Sequence, residues 1–264
     1  MIRIIFCVIR EFRRPHFCLL IIKMDFLSSV LGSKKSDTCR EMIETSFRKI
    51  VILYSNPHFN LKVEKQKDSE EILKHVKPLR SFTREMRFVY SLLNPFDFYI
   101  QPATTVENFR YILDKYQPEI IIWAGHTLHH SLVFEHENGS AYKADNLTNF
   151  VHSDKITEML RFSGNLKLIV LMGCNTKPIG NDIHEKRKDL GVICWSTLVE
   201  DEAASVFVQG MLNKVQYYLY NHQELDKTLI REIYKAGLQE FQKKYGIGDP
   251  SKDENFHGVP EIFV

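Results

Sequence analysis

Apolar residues fall in short dense runs along the chain, separated by stretches where they recur every three or four positions. Lys49-Ile50-Val51-Ile52-Leu53-Tyr54-Ser55 is apolar and β-branched, and Asn56-Pro57 stops it. Such a run predicts a strand buried on both faces. Phe96 to Ile100, Glu119 to Ala124, Leu166 to Met172 and Gly191 to Thr197 predict four more strands. Ile72, Leu73 and Val76 mark a helix over 66–77; Met86, Val89, Tyr90 and Leu93 mark another over 82–93. Pro78 and Pro95 punctuate these two. Thr105 is placed to cap a helix running to Tyr116, with Phe109, Ile112, Leu113 and Tyr116 on one face. Helical spacing also covers 145–162, 180–190, 201–221 and 223–245, and Gly246, Gly248 and Pro250 end the last of these. Asn138-Gly139, between Ser131–Glu135 and Ala141-Tyr142, is a hairpin signal.

Strands alternating with helices predict a mostly parallel α/β sheet covered on both faces. In such sheets chemistry collects beyond the carboxyl ends of the strands.

Composition adds little to this picture, and charge adds more. The 264 residues are 44% hydrophobic and 26% charged, as in ordinary globular proteins, which excludes collagen-like and wholly disordered chains. The formal charge is +2. Residues 1–23 hold Arg3, Arg10, Arg13, Arg14 and Lys23 against Glu11, or +4, which leaves −2 for the rest. A body without basic excess argues against nucleic acid as a partner. The apolar runs near the N-terminus are split by Arg10 to Pro15 and fall short of a bilayer span. No integral membrane span is therefore expected. Residues 1–47 are expected to be an N-terminal extension and linker, 48–245 the domain and 246–264 a C-terminal tail. Met24 is an alternative start. Cys7, Cys18, Cys39, Cys174 and Cys194 are odd in number and irregular in spacing, which points to free thiols in a reducing, cytoplasmic compartment.

The candidate chemistry lies at two strand ends. Glu119–Ala124 runs into Gly125-His126-Thr127, and Leu166–Met172 runs into Gly173-Cys174-Asn175. Neighbouring parallel strands would bring His126 and Cys174 to one edge. A thiol beside an imidazole becomes a nucleophile: the ring takes its proton and later protonates the leaving amine. The backbone N–H groups of Thr127 and Cys174 are placed to stabilise an oxyanion. The competing account is a buried thiol and an unrelated surface histidine.

Ile120 to His126, then Leu132 to Glu135 with Gly139, then Leu168 to Thr176, resemble the CHAT domain, a caspase-like family related to separase among the clan CD cysteine peptidases. Val192 to Thr197, Asp201 to Ala204 and Phe207 extend the likeness, which covers about 48–245. In caspases, too, the histidine lies about 50 residues before the cysteine. The resemblance implies a three-layer caspase-hemoglobinase-like sandwich and a cysteine endopeptidase. Cys174 would be its nucleophile and His126 its base and acid, acting on a protein or peptide substrate with no cofactor and no metal. Relatives of this kind often act with sensor repeats or partner proteins attached. About 50 preceding residues are too few for a repeat array, so activation, if needed, is expected either from an activating partner protein or through the N-terminal segment.

The chain departs from that pattern at Thr127, where many relatives have glycine. It departs again at Met172, where several place an acid for a basic P1 side chain. Both departures favour the rival reading, a catalytically inactive caspase-like module that binds or scaffolds a partner. A third reading is an unrelated doubly wound domain holding a small ligand, although no GxGxxG or P-loop pattern occurs. If a basic P1 residue is held, Glu200, Asp201 and Glu202 are the acids available after the fifth strand, with Asp201 foremost. Asp201 is also a candidate helix cap. Trp195 is expected either to line a pocket or to fill the core. His126, His129, His130 and His136 lack the spacing of a metal site. Cys194 is expected to be an inert core thiol.

Overall fold

The computed structural model describes residues 49–56, 82–93, 97–128, 130–135, 150–246 and 257–264. All of them belong to one folded unit. The predictions for 1–47, for the helix over 66–77 and for the Asn138-Gly139 turn lie outside these residues.

In chain order the elements are β1 (Ile50–Ser55), α1 (Phe82–Leu92), β2 (Phe98–Gln101), α2 (Val106–Tyr116) and β3 (Ile120–Gly125). Next come β4 (Thr127–Leu128), β5 (Ser131–Val133), β6 (Phe150–His152), α3 (Ser153–Leu160), β7 (Leu168–Leu171) and α4 (Lys177–Lys186). The chain closes with β8 (Gly191–Trp195), α5 (Asp201–Tyr220), α6 (Lys227–Tyr245) and β9 (Pro260–Phe263). The main sheet has the order β2-β1-β3-β7-β8-β9. Its first five strands run parallel, and β9 is antiparallel to β8.

Alternate residues of each strand enter different cores, which explains why the strands are apolar throughout. Ile50, Ile52, Ile122 and Val170 pack with residues of α1, α5 and α6. Val51, Leu53, Ile121 and Ile169 pack with α2, α3 and α4. The result is a three-layer α/β sandwich with a mostly parallel central sheet. Fully burying each such side chain contributes about 1.5–3 kcal/mol. Helix α2 follows its pattern closely: Thr105 accepts the Asn108 N–H at 3.1 Å, and Phe109, Ile112, Leu113 and Tyr116 are buried.

Two elements differ from expectation. Phe150–His152, predicted as helix, is a strand: β5 recruits it, with Leu132 paired to Val151, and tertiary pairing overrides local spacing. The stretch 246–264, expected as a tail, contains β9, which covers the outer edge of β8 from Val192 to Trp195. The first residue of β9 is held by Tyr234, which donates to the Pro260 carbonyl at 2.9 Å.

A small antiparallel sheet, β4-β5-β6, grows from the end of β3. It is fixed to the end of β1 by the Ser55 hydroxyl, which donates to the Val133 carbonyl at 2.6 Å. The Asn56 N–H donates to the Glu135 carboxylate at 2.7 Å.

Candidate active site

β3 and β7 are neighbours, and their register fixes which residues meet at the carboxyl edge. Ile120 pairs with Leu168, and the pairing continues in step to Trp123 and Leu171. His126 and Cys174 are separated by the same interval, so they leave the same edge at the same level. The contact there is direct. The Thr127 hydroxyl donates to the Cys174 carbonyl. A Cβ on Gly173 would lie 2.7 Å from the Thr127 methyl and 2.8 Å from the Gly125 carbonyl, so only glycine allows the two turns to meet. The residues on both sides of His126 therefore touch Cys174 or the residue before it.

The His126 carbonyl accepts the Val133 N–H at 3.0 Å. That bond makes Thr127–Leu132 a non-hydrogen-bonded pair, and the Thr127 N–H points away from β5. The Nε2 atom of His126 is shielded from solvent.

Two threonines hold the turn after β7. Thr127 takes the Cys174 carbonyl, and the Thr176 hydroxyl donates to the Gly173 carbonyl at 3.1 Å. Thr176 is buried, and its oxygen accepts the Trp195 N–H at 2.9 Å, which joins this turn to β8. Asn175 adopts a left-handed φ of 51°, a conformation asparagine tolerates better than most residues, and its N–H donates to the Thr197 carbonyl at 2.9 Å.

The Cys174 thiol faces the loop after β8. The Val199 N–H donates to Sγ at 3.4 Å, and the thiol donates to the Val199 carbonyl at 3.6 Å. Burial pushes the thiol above its ordinary pKa, the Val199 N–H opposes that, and the Asp201 carboxylate adds to it. The net effect disfavours the thiolate.

The acids after β8 separate by partner. Glu200 meets His257 Nδ1 at 2.6 Å, and Glu202 meets Lys244 at 2.8 Å. Asp201 is the one that acts on Cys174. It is not the helix cap: Glu200 holds that position, without a side-chain cap bond, and Asp201 is the first helical residue. An acid there also suits the positive end of the helix dipole.

Other expected site residues lie apart. Met172 is 8% exposed and belongs to the core shared with α1, α5 and α6. Trp195 is fully buried, with Phe207 and Phe241 against its ring, so it fills the core rather than lining a pocket. Cys194 is fully buried, and burial, aided by Glu261, pushes its thiol up to about 12. Among the described residues no cluster of His, Cys, Asp and Glu is arranged to hold a metal ion. Among them, too, no helix is long and apolar enough to cross a membrane. His129 and His136 lie outside the described residues. Val199, Thr176 and His257 carried no signal in the sequence, because each acts through backbone or long-range contacts.

No protein-family profile matches the chain, and no curated protein matches it. Solved structures similar in shape include the following three. The Arg-specific cysteine proteinase gingipain R aligns over 77% of this chain and 44% of its own, at 10% identity and a TM-score of 0.45. A secreted C11 cysteine protease from Bacteroides thetaiotaomicron, solved with an irreversible peptide inhibitor, aligns over 81% and 65%, at 9% identity and a TM-score of 0.46. The complex of Porphyromonas gingivalis gingipain pro- and mature domains aligns over 77% and 45%, at 8% identity and a TM-score of 0.45. The chain spans from under half to about two thirds of the lengths of these proteins.

Proposed function

We propose that the protein is a caspase-like cysteine endopeptidase of the CHAT type, with 48–245 and strand β9 as its catalytic domain. The observation that carries this reading is the in-step pairing of β3 with β7, which sets His126 and Cys174 at one edge with their turns in contact. Cys174 Sγ attacks the peptide carbonyl carbon while its proton passes to His126. The N–H groups of Thr127 and Cys174 stabilise the oxyanion, and the orientation of Thr127 away from β5 supports its part. The carbon–nitrogen bond then breaks, His126 protonates the departing amine, and water hydrolyses the thioester. Asp201, near Cys174, suits a substrate with Arg or Lys at P1. Release of the thiol from Val199 is the step an activating partner would promote. Free thiols fit a reducing, cytoplasmic setting.

One observation favours the rival reading, an inactive partner-binding module: the thiol is partly buried and engaged on both its donor and acceptor sides by Val199. A peptidyl acyloxymethyl ketone with Arg at P1 separates the two. The expected result is one adduct on Cys174 by mass spectrometry, absent in Cys174→Ala, with both proteins equally folded by circular dichroism. Adducts confined to other cysteines, equal in both proteins, would sink the peptidase.

A further inference from the structure

The loop Ser196–Glu200 carries Val199 to the Cys174 sulfur, and what holds this loop comes from far along the chain. The Ser196 N–H donates to the Val259 carbonyl at 2.9 Å, and the Val259 N–H donates to the Thr197 hydroxyl at 3.0 Å. The Glu200 N–H donates to the His257 carbonyl at 3.3 Å, and the Glu200 carboxylate meets His257 Nδ1 at 2.6 Å. Gly258, at a φ of 117°, lies so close to Trp195 that a Cβ would come within 2.9 Å of its ring and 3.2 Å of the Leu198 carbonyl. The Tyr245 ring, at the end of α6, packs on His257 with centroids 4.3 Å apart.

Residues 257–259 therefore bond or pack along the loop on both sides of Val199, and Val199 occupies both hydrogen-bonding directions of the thiol. We propose that His257, Gly258 and Val259 form a latch that holds Ser196–Glu200 closed against Cys174, so that freeing the sulfur requires this segment to release the loop. The proposal rests on the reading of Cys174 as a nucleophile. The latch is small and its side-chain contact is partly exposed, with the His257 and Glu200 side chains 26% and 54% accessible. Contacts of that kind are held by a modest free energy and open readily. They give a gate whose setting a partner could change without unfolding the sheet.

The test measures the rate at which iodoacetamide alkylates Cys174 in the full chain, followed peptide by peptide by mass spectrometry, with Cys194 as internal control. His257→Ala removes the contact with the Glu200 carboxylate, and His257→Asn keeps a donor where Nδ1 stands. Thr197→Val removes the acceptor of the Val259 N–H from the other side. The expected result is alkylation of Cys174 about threefold faster in His257→Ala and in Thr197→Val, as loss of one exposed polar contact predicts. The His257→Asn rate should stay near that of wild type, and Cys194 should stay unchanged throughout. A Cys174 rate equal to or below wild type in both disrupted variants overturns the latch. So does a parallel acceleration at Cys194, because that reports general opening of the fold. Alkylation needs no peptide hydrolysis, so a wild-type protein that cleaves nothing would count against the peptidase and leave the latch standing.

Discussion

Cys174 and Cys194 sit on or just past neighbouring strands of one sheet, and their surroundings treat the same thiol in different ways. Cys194 is inside β8 and faces α4, where Gly180 approaches so closely that a Cβ would come 3.0 Å from the sulfur. It is sealed in the core, and its proton is held far into the alkaline range. Cys174 lies beyond the last residue of β7, in a turn fixed by Thr127 and Thr176. It keeps partial exposure, a backbone donor at 3.4 Å and a neighbouring carboxylate. Burial raises the proton affinity of both. Each also feels a nearby carboxylate, Asp201 for Cys174 and Glu261 for Cys194, but Cys174 alone of the two pairs that influence with partial exposure and a backbone N–H on its sulfur. Place along the strand, rather than residue type, decides which thiol has access to chemistry.

Three experiments would break or sharpen this contrast. The largest expected effect is on catalysis: His126→Ala should cut peptide cleavage by about 10²–10⁴, the usual worth of a positioned acid and base. Alkylation of Cys194 should not change. Cleavage at the wild-type rate would detach His126 from Cys174. Next comes stability. Cys194→Ser puts a hydroxyl into a sealed apolar site and should lose about 1–3 kcal/mol in urea unfolding. Cys174→Ser, whose hydroxyl can keep both bonds to Val199, should stay within about 0.5 kcal/mol of wild type. Equal losses would erase the distinction between the two environments.

The smallest effect concerns pH. Burial and Asp201 raise the Cys174 pKa, so its alkylation should switch on above the midpoint of an ordinary thiol, about 8.5. The folded state then binds this proton more tightly than the unfolded chain does. The stability it contributes is present below the unfolded pKa and fades as pH rises through the folded one. Asp201→Asn removes one raising influence. It should shift the alkylation profile toward lower pH and speed the reaction about twofold at pH 8. An unmoved profile would place the carboxylate too far away to matter.

The core strands were legible because burial on both faces leaves an unbroken apolar run. Ile50–Tyr54, Ile120–Ala124 and Leu168–Leu171 all show it. β9 was not, since Glu261, Ile262 and Phe263 form a half-exposed edge with no such run. β6 failed for a different reason: three residues carry too little period to compete with the helical pattern around them. At the site, the glycines before His126 and Cys174 marked both turns. Trp195 was ambiguous because an aromatic residue near a strand end has the same signature whether it faces solvent or core. The grip of residues 257–259 on Ser196–Glu200 was invisible, since it runs mostly through backbone groups that every residue carries.

Strand β9 has a further consequence, in time rather than in space. It comes after every other described element in the chain, so it leaves the ribosome later than the strands it joins. Until it arrives, Val192, Ile193, Cys194 and Trp195 present an apolar strand with an open edge, the kind that pairs with other chains. The nascent protein therefore passes through a sticky stage that ends only when Pro260–Phe263 dock.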